Sequence, residues 1–276
     1  MGVVNVTPDS FSDRGSFAGA GEAVAHAARL VAEGAAIVDV GGESTRPGAA
    51  PVPVAEELER VVPVVEGIAA LGTAARVSVD TMKLAVAEAA VRAGATYVND
   101  VSAFRREPAL AGLVADRGLD CCLMHMLGEP RTMQDAPRYD DVVSEVKAFL
   151  EERLAAAVAA GVPEERVQLD PGIGFGKTVA HNLELLRRLD EIAAIGRPVV
   201  LGTSRKRFIG TITGREDPAE RVHGTVATCV LGLERGARVF RVHDVAAVAD
   251  GLAVAAATLL RVPVETPPSL SNQAFP

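Results

Sequence analysis

The chain lacks most features that mark secreted, membrane-spanning or disulfide-stabilised proteins. Its 276 residues contain no Trp and only three Cys, too few for a disulfide framework and without metal-ligand spacing: Cys121, Cys122 and Cys229. No apolar run reaches the ~18 residues that a transmembrane helix needs. The N-terminus carries no basic region followed by an apolar core, so no signal peptide is evident. We therefore expect a protein of the reducing cytoplasm.

Positive charge is also scarce, which argues against a general nucleic-acid surface. The net charge is −8 and the sequence pI is near 5.2. A site for a polyanion would therefore have to be a local cluster of cations. Hydrophobic residues make up 49% of the chain, so a domain of this length can bury a sizeable core.

Eight short apolar segments recur along the chain, each followed by a helical pattern. They are 2–6, 36–40, 76–80, 97–100, 120–125, 167–170, 198–204 and 239–243, with amphipathic stretches such as 54–70, 140–160 and 179–194 between them. Apolar strands that alternate with helices predict a parallel sheet covered on its faces. Eight such units in this length predict an α/β fold, a single-domain (β/α)8 TIM barrel over 1–262. A doubly wound open sheet is the alternative, but no GxGxxG follows the first segment.

Polar residues stand at the predicted strand ends, where barrels of this kind place their active sites. They are Asn5, Asp80, Asn99, His125, Asp170, Ser204, Arg241 and His243. Any one of them could be an ordinary satisfied polar cap. Eight at one rim predict a site.

The rim divides into two kinds of chemistry. Cations gather after the last two strands, which predicts a site for an anionic group such as phosphate: Arg205, Lys206, Arg207, Arg241 and His243. For 205–207 a solvated surface run is the alternative. Elsewhere Asp80, Asn99 and Asp170 can match the donor and acceptor edge of a flat heterocycle such as an aminopyrimidinone.

The segment 169–178, LDPGIGFGKT, matches only the tail of a phosphate-binding loop. Pro171 stands where that loop needs its first glycine, and Asp170 would repel phosphate. We predict instead that Asp170 accepts N–H bonds from a guanidine-like ring edge, and that the glycines let a planar ligand approach the backbone. Lys177 is predicted to begin the next helix.

Two loops are predicted to close over the site. The segment 7–17 carries Phe11 and Phe17, and the segment 41–49 carries Thr45, Arg46 and Pro47 between glycines. Ordinary solvent loops are the alternative. Beyond 262, the Pro-, Ser- and Thr-rich residues 263–276 are expected to form a C-terminal tail.

Seven motifs together resemble those of the dihydropteroate synthases. They are GVVNVTPDSFSD, GGESTRPG, VSVDT, YVNDVS, LDPGIGFGK, GTSRKRFIG and RVHDV, in the family's order and spacing from residue 2 to about 260. The family joins 4-aminobenzoate to the diphosphate ester of 6-hydroxymethyl-7,8-dihydropterin and releases pyrophosphate, in folate biosynthesis. The resemblance implies a transferase on a (β/α)8 barrel, a homodimer and a target of sulfonamides.

The resemblance also implies roles for individual residues. The pterin-holding set is Asp80, Asn99, Asp170 and Lys206. Asn5 resembles the family's magnesium-linked asparagine, so Mg²⁺ is the implied cofactor, and near the diphosphate lie Thr45, Arg241 and His243. The family's wall around the aminobenzoate is matched here by Phe175, Pro47 and the loop around Lys206. Arg46 is implied as a further substrate-binding residue. The implied catalytic set is Asp80, which favours a pterin cation, with Lys206, Arg241 and His243.

No general base is expected, because the aniline nitrogen of 4-aminobenzoate is a neutral nucleophile with a free lone pair. His125 is accordingly interpreted as structural. Three departures from the family pattern stand out. The chain begins almost at the first strand, without the leader of most relatives, which leaves an upstream start codon open. Arg207 stands where many relatives have Ser, and Arg14 replaces a common Gly.

Two other functions fit parts of the pattern. A methyltetrahydrofolate–corrinoid methyltransferase would share the pterin contacts but would need neither a diphosphate cluster nor the two covering loops. A non-catalytic paralogue would be expected to lack some of the implied site residues. None of Asn5, Asp80, Lys206, Arg241 or His243 is missing.

Overall fold

Eight strands form one parallel sheet in chain order in the computed structural model, which describes residues 1–6, 19–46 and 48–259. The strands are β1 (Gly2–Asn5), β2 (Ile37–Gly41), β3 (Arg76–Asp80), β4 (Tyr97–Asp100), β5 (Asp120–Met124), β6 (Val167–Asp170), β7 (Val199–Leu201) and β8 (Ala237–Phe240). The first and last strands also meet. The Val3 N–H donates to Val242 O at 3.0 Å, and the Val242 N–H donates to Met1 O at 2.9 Å. These bonds close the barrel, as predicted.

Helices cover the outside of the barrel. They are α1 (Ala20–Ala32), α2 (Val54–Ala70), α3 (Leu84–Ala93), α4 (Ala109–Arg117), α5 (Val142–Ala159), α6 (Val179–Arg187), α7 (Leu189–Ala193), α8 (Arg207–Thr213), α9 (Val222–Glu234) and α10 (Val245–Leu259). The predicted helix 54–70 is confirmed to the residue. The predicted helix 179–194 is interrupted at Arg188, which has non-helical dihedral angles (φ −112°, ψ 30°).

Side chains alternate between the helices and the barrel interior along each strand. On β3, Val77 and Val79 join the large core under the helices, whereas Ser78 and Asp80 point inward. The interior is filled away from the mouth by an apolar layer containing Ile37, Tyr97, Cys122 and Val200. Tyr97 Oη donates to Gln168 Oε1 across that layer at 2.9 Å. The barrel is therefore closed beneath its polar mouth.

The predicted strand boundaries hold best where an apolar run ends in Asp or in Asn-Asp. The segments 76–80, 97–100 and 167–170 agree with β3, β4 and β6. The eighth strand was placed too late: it ends at Phe240, opposite Leu201 of the short β7, with a register shift at Val199 and Val200. Arg241 and His243 therefore lie in the loop after β8 rather than inside a strand.

Within the described ranges, no helix is long and apolar enough to cross a membrane. The three cysteines are buried and free. The predicted tail 263–276, Pro47 and the first loop with Phe11, Arg14 and Phe17 lie outside the described residues.

Candidate active site

Arg241 lies at the barrel mouth and holds two carboxylates from neighbouring strands. Its Nε donates to Asp39 Oδ2 at 2.7 Å, and its Nη2 donates to Asp80 Oδ2 at 2.7 Å. Asp39 is fully buried and Asp80 nearly so, whereas 23% of the Arg241 side chain is exposed. A guanidinium has five N–H donors, and these two bonds leave the others for an anionic ligand.

Asp39 is a site residue that the sequence analysis missed. Besides Arg241, it accepts hydrogen bonds from Ser78 Oγ at 2.5 Å and from Asn99 Nδ2 at 3.0 Å. One carboxylate of β2 thus fixes side chains of β3, of β4 and of the loop after β8. A signal was present in the sequence, because a carboxylate inside a continuous apolar strand needs a buried partner.

Burial shifts the titration of the groups in this cluster. It raises the pKa of Asp80 to about 7, although Arg241 opposes the rise. Burial alone would lower the pKa of Arg241, but Asp39 and Asp80 outweigh it and the net pKa is raised. Arg241 is therefore always cationic, whereas Asp80 titrates close to neutral pH.

Asp170 and Asn99 each keep an oxygen for a ligand. Asp170 Oδ1 accepts the Gly172 N–H at 2.7 Å, and no donor among the described residues is bonded to Oδ2. Asn99 donates its amide to Asp39, which leaves its carbonyl oxygen as an acceptor. Burial raises the pKa of Asp170, and the Gly172 N–H opposes that rise. Two acceptors therefore stand at the ends of β4 and β6.

The glycines after β6 are required by the packing of the loop itself. Gly172 has φ +67°, and a Cβ there would lie 1.8 Å from the His125 carbonyl oxygen. Gly174 has φ +82°, and a Cβ there would meet Lys206 Cδ at 3.1 Å. Both glycines thus admit a neighbouring backbone and a lysine side chain. The approach of a planar ligand to this loop stays a prediction.

Lys206 crosses this loop to reach the ring of Phe175. Its Nζ lies 4.1 Å from the ring centroid. Such a contact stabilises by about 0.5–2 kcal/mol, depending on desolvation. Burial, followed by the charge of Arg241, lowers the pKa of Lys206 to about 8, while Asp170 and Asp80 act in the opposite direction. Lys206 therefore lies near predicted site residues of β3, of β6 and of the loop after β8.

Lys177 is buried behind the same loop. It is 3% exposed, its Nζ lies 2.9 Å from His125 Nδ1, and it donates to Phe175 O at 3.0 Å. Burial lowers the pKa of Lys177 to about 7, and burial with Lys177 lowers that of His125 to about 2, so a neutral imidazole faces the amine. Helix α6 begins at Val179 with Thr178 as its cap, so Lys177 precedes the helix rather than beginning it. The segment 169–178 therefore does not have the geometry of a phosphate-binding loop. The contacts that His125 makes among the described residues are structural.

The cations 205–207 do not form one cluster. Arg205 donates to both oxygens of Asp244, at 3.0 and 2.7 Å, and Arg207 is exposed at the start of α8. Lys206 contacts the ring of Phe175, and the charge of Arg205 acts on His243. The prediction of one cluster is wrong for Arg207, because the helix turns it to solvent. A role of Arg205 toward an anionic group stays a prediction, since it pairs with Asp244 while its charge acts on His243.

His243 is held by Ser204. Ser204 Oγ accepts the His243 backbone N–H at 3.1 Å and lies 3.0 Å from His243 Nδ1. Burial, then the charges of Arg205 and Arg241, lowers the pKa of His243 to about 3, so the ring is neutral. Because Ser204 Oγ already accepts the backbone N–H, we assign its hydroxyl as the donor to Nδ1, which puts the ring proton on Nε2. His243 can thus donate one hydrogen bond.

Asn5, Thr45 and Arg46 lie at the same mouth but form no side-chain hydrogen bond to the other described site residues. Asn5 ends β1 opposite Gly41. Thr45 is half-buried and Arg46 is exposed in the loop after β2. The charge of Arg46 lowers the pKa of both Lys206 and His243, so Arg46 lies within electrostatic range of both.

The mouth offers an oxygen donor of the kind that a Mg²⁺ ion carried by a diphosphate would need. Among the described residues, no group of three or more His, Cys, Asp or Glu could hold a metal ion. Mg²⁺ often has one or two protein oxygens and takes its other ligands from phosphates and water. The carboxamide oxygen of Asn5 is suited to be such a protein ligand.

An apolar cluster forms a wall of the mouth next to Phe175. Its buried members follow the ends of β3, β4 and β5: Met82, Val101, Met124, Met126 and Met133. No motif in the sequence points to this cluster, because each methionine alone resembles a core residue. Flexible thioether side chains pack well against flat rings.

The chain matches known proteins over nearly its whole length. A family model described as pterin binding enzyme matches residues 1–243. The dihydropteroate synthase of Escherichia coli (strain K12) is 47% identical over 259 residues, which are 94% of this chain and 91% of that relative.

Solved structures agree with the fold. The Xanthomonas albilineans dihydropteroate synthase with 4-aminobenzoic acid has a TM-score of 0.88 at 53% identity, covering 95% of this chain and 93% of that one. The same organism's enzyme in complex with 7,8-dihydropteroate gives 0.85 at 50% identity, covering 95% and 94%. The Yersinia pestis enzyme with a sulfonamide drug gives 0.89 at 44% identity, covering 94% and 93%. The barrel described above is thus shared with all three.

Proposed function

The chain belongs to the pterin-binding enzyme family, among its dihydropteroate synthases, and from that premise we propose how its own residues share the reaction. It is a transferase that condenses 6-hydroxymethyl-7,8-dihydropterin diphosphate with 4-aminobenzoate to give 7,8-dihydropteroate and pyrophosphate. The observation that carries the assignment of roles is the cluster of Arg241 with Asp39 and Asp80. It offers unused N–H donors to a diphosphate beside the unused acceptors of Asn99 and Asp170.

The pterin edge is proposed to bind on the acidic side of the mouth. Asp170 accepts N–H bonds from the aminopyrimidinone with its available oxygen, and Asn99 accepts with its carbonyl oxygen. Lys206 donates to the ring carbonyl. The methionine wall beside Phe175 covers the flat face of the ring.

The diphosphate is proposed to lie between Arg241, His243 and Thr45. Arg241 and the Nε2–H of neutral His243 are fixed before substrate binds, so no reorganisation is needed as negative charge develops on the leaving group. Asn5 would hold Mg²⁺ against the diphosphate. That ion supplies further charge neutralisation to the leaving oxygens.

Asp80 is proposed to stabilise the pterin cation that remains when pyrophosphate departs. Its carboxylate is buried and oriented by Arg241. When the diphosphate binds Arg241, its negative charge offsets the charge of the guanidinium. Arg241 then screens the Asp80 carboxylate less, so the carboxylate stabilises the pterin cation more strongly. The aniline nitrogen of 4-aminobenzoate then adds without a general base. Its pocket is proposed to include Phe175, Lys206, Arg46 and Pro47.

The two rival functions lose their support. The curated relatives reported above are named as dihydropteroate synthases, and one solved relative carries the dihydropteroate product. Each residue of the proposed machinery that lies in the described ranges stands at the mouth, with Arg241 and Asp80 in contact. A corrinoid methyltransferase would leave the cations without a role.

Pyrophosphate release tests the function. We expect release from the pterin diphosphate only when 4-aminobenzoate and Mg²⁺ are both present, with dihydropteroate formed in equal amount. Chelation of Mg²⁺ by EDTA should stop the reaction, because the leaving charge is then met by the Arg241 cation and a hydrogen bond from His243 alone. Release at the same rate without 4-aminobenzoate would indicate a hydrolase instead. Sulfonamides, bound by the Yersinia pestis relative, are proposed to compete with 4-aminobenzoate here.

The late helices are proposed to form a homodimer. Helix α10 has Asp250 as its single charged residue, and it packs against α9. Large apolar side chains on both helices are nonetheless exposed: Val254 at 70%, Leu231 at 45% and Leu259 at 44%. An outer helix that is apolar nearly all round is usually buried, so a second copy is the occupant proposed for this face.

Light scattering of Val254→Glu tests the dimer. We expect the unaltered protein to have twice the 28.6 kDa chain mass at micromolar concentration. Val254→Glu should shift it toward the monomer, because a carboxylate would be buried without a partner in the interface. Leu71→Glu, at an exposed leucine after α2, is the control and should leave the dimer intact. A monomer for the unaltered chain would contradict the proposal.

A cytoplasmic location is also proposed. The three cysteines are free and buried, which suits a reducing compartment. Cell fractionation with activity measured in each fraction tests it, and activity confined to the membrane fraction would contradict it.

A further inference from the structure

A buried lysine ties together the two ends of the loop 42–53, which carries Thr45 and Arg46 between β2 and α2. Lys83 Nζ donates to Glu43 Oε2 at 2.5 Å, near the start of the loop, and to Val52 O at 2.6 Å, near its end. It also forms an ion pair with Glu57 of α2. The Lys83 side chain is 8% exposed and that of Glu57 is fully buried.

The hydrogen bonds of Lys83 and Glu57 extend to the residue next to the proposed catalytic carboxylate, Asp80. Glu57 Oε1 accepts Thr81 Oγ1 at 2.7 Å, and the Lys83 N–H donates to Thr81 Oγ1 at 3.2 Å. Thr81 directly follows Asp80 in the chain. The loop and the end of β3 are therefore attached to the same buried network.

Core packing alone does not call for this network. A buried charge is costly, and well-packed apolar residues in place of a buried ion pair often leave stability unchanged or raise it. Here each of the three ammonium protons has an acceptor, and two of the acceptors belong to the loop. The geometry serves the position of the loop more than the stability of the core.

We infer that Lys83 is a positioning residue for synthesis: by holding Glu43 and Val52, it fixes the two ends of the loop from which Thr45 and Arg46 close over the mouth. The inference rests on the role in substrate binding proposed above for these two loop residues. Lys83 itself touches neither substrate. Its effect is transmitted through the loop.

Glu43→Gln is the sharpest test, because it weakens the hold on the loop and leaves the buried Lys83–Glu57 pair in place. We expect kcat/KM for 4-aminobenzoate to fall by roughly 10–100-fold, since misplacement by about 1 Å costs that much. Affinity for 6-hydroxymethyl-7,8-dihydropterin, measured by calorimetry, should not change, because the pterin residues lie on other elements. Amide hydrogen exchange should quicken in 42–53 and stay unchanged in α2 (Val54–Ala70).

Lys83→Met should show the same kinetic pattern more strongly, and if it does not fold, Glu43→Gln decides. Lys147→Met is the matched control, since Lys147 lies on α5 with one distant partner, Glu151 at 3.9 Å. Thr45→Val tests the proposed function separately, and full activity there would remove the role of the loop. If Thr45→Val is impaired while Glu43→Gln matches the unaltered enzyme, the positioning inference is overturned. Equal losses of pterin affinity and synthesis in Glu43→Gln would also overturn it.

Discussion

Lys206→Ala and Asp170→Asn are each expected to lower kcat/KM for dihydropteroate synthesis by on the order of 10²–10³. Lys206 holds a cation over the Phe175 ring, beside the proposed position of the pterin carbonyl. Asp170→Asn keeps an acceptor for the Gly172 N–H but can turn an amide donor against the N–H groups of the ligand. Steady-state kinetics with pyrophosphate detection measures both effects.

Lys177→Met is the matched comparison, because this second lysine of the β6 loop region faces the core. Synthesis should fall by at most roughly tenfold, about 1.4 kcal/mol in the barrier. The free energy of unfolding should fall by about 1–3 kcal/mol, because Phe175 O and His125 Nδ1 lose their donor. An inactive but stable Lys177→Met enzyme beside an active Lys206→Ala enzyme would mean that the Gly-Lys-Thr segment binds phosphate after all.

The sequence was informative about strand ends. A run such as 76–80 alternates Val with small or polar residues and stops at an Asp, because the chain there leaves the buried sheet for the polar mouth. Asp80, Asn99 and Asp170 can therefore be placed at one rim from the sequence alone. The periodicity of these runs also fixes which neighbours face the helices.

The contacts that select among similar residues could not be predicted in this way. The three cations Arg205, Lys206 and Arg207 are adjacent in sequence. Arg205 differs from Lys206 in its ion pair with Asp244, which lies far along the chain. Asp39 was hidden inside an apolar strand, since its partners come from β3, β4 and the loop after β8. Pairing across such distances depends on the closed register of the barrel.

Arg241→Met is expected to destabilise the fold and to abolish synthesis, for two separable reasons. Without the guanidinium, the carboxylates of Asp39 and Asp80 lose the cation that is hydrogen-bonded to both of them. Removing one partner from a buried pair costs roughly 3–5 kcal/mol. Synthesis loses the cation proposed to meet the diphosphate, so kcat/KM should fall by at least about 10². Denaturant unfolding and steady-state kinetics measure the two losses independently.

The stability loss should depend on pH through Asp80. Burial raises its pKa from 3.8 to about 7 in the folded protein, so folding favours the protonated acid. The stability contributed by that proton is present at acid pH and is lost as the pH rises through about 7. Arg241 now lowers this pKa, so its removal raises it further. The deficit of Arg241→Met should therefore shrink when the pH is lowered from about 8 to about 6.

Asp39→Asn in the Arg241→Met background separates the structural loss from the catalytic one. The added change removes one of the two unpaired charges. The amide oxygen can keep the bond from Asn99, and the amide N–H can donate to the Ser78 hydroxyl in its place. We expect most of the lost free energy of unfolding to return, as a strongly non-additive double-mutant cycle. Synthesis should stay low, because the guanidinium proposed to meet the diphosphate is still missing. If synthesis returns together with stability, Arg241 is only a structural counter-ion, and the proposed role at the diphosphate is wrong.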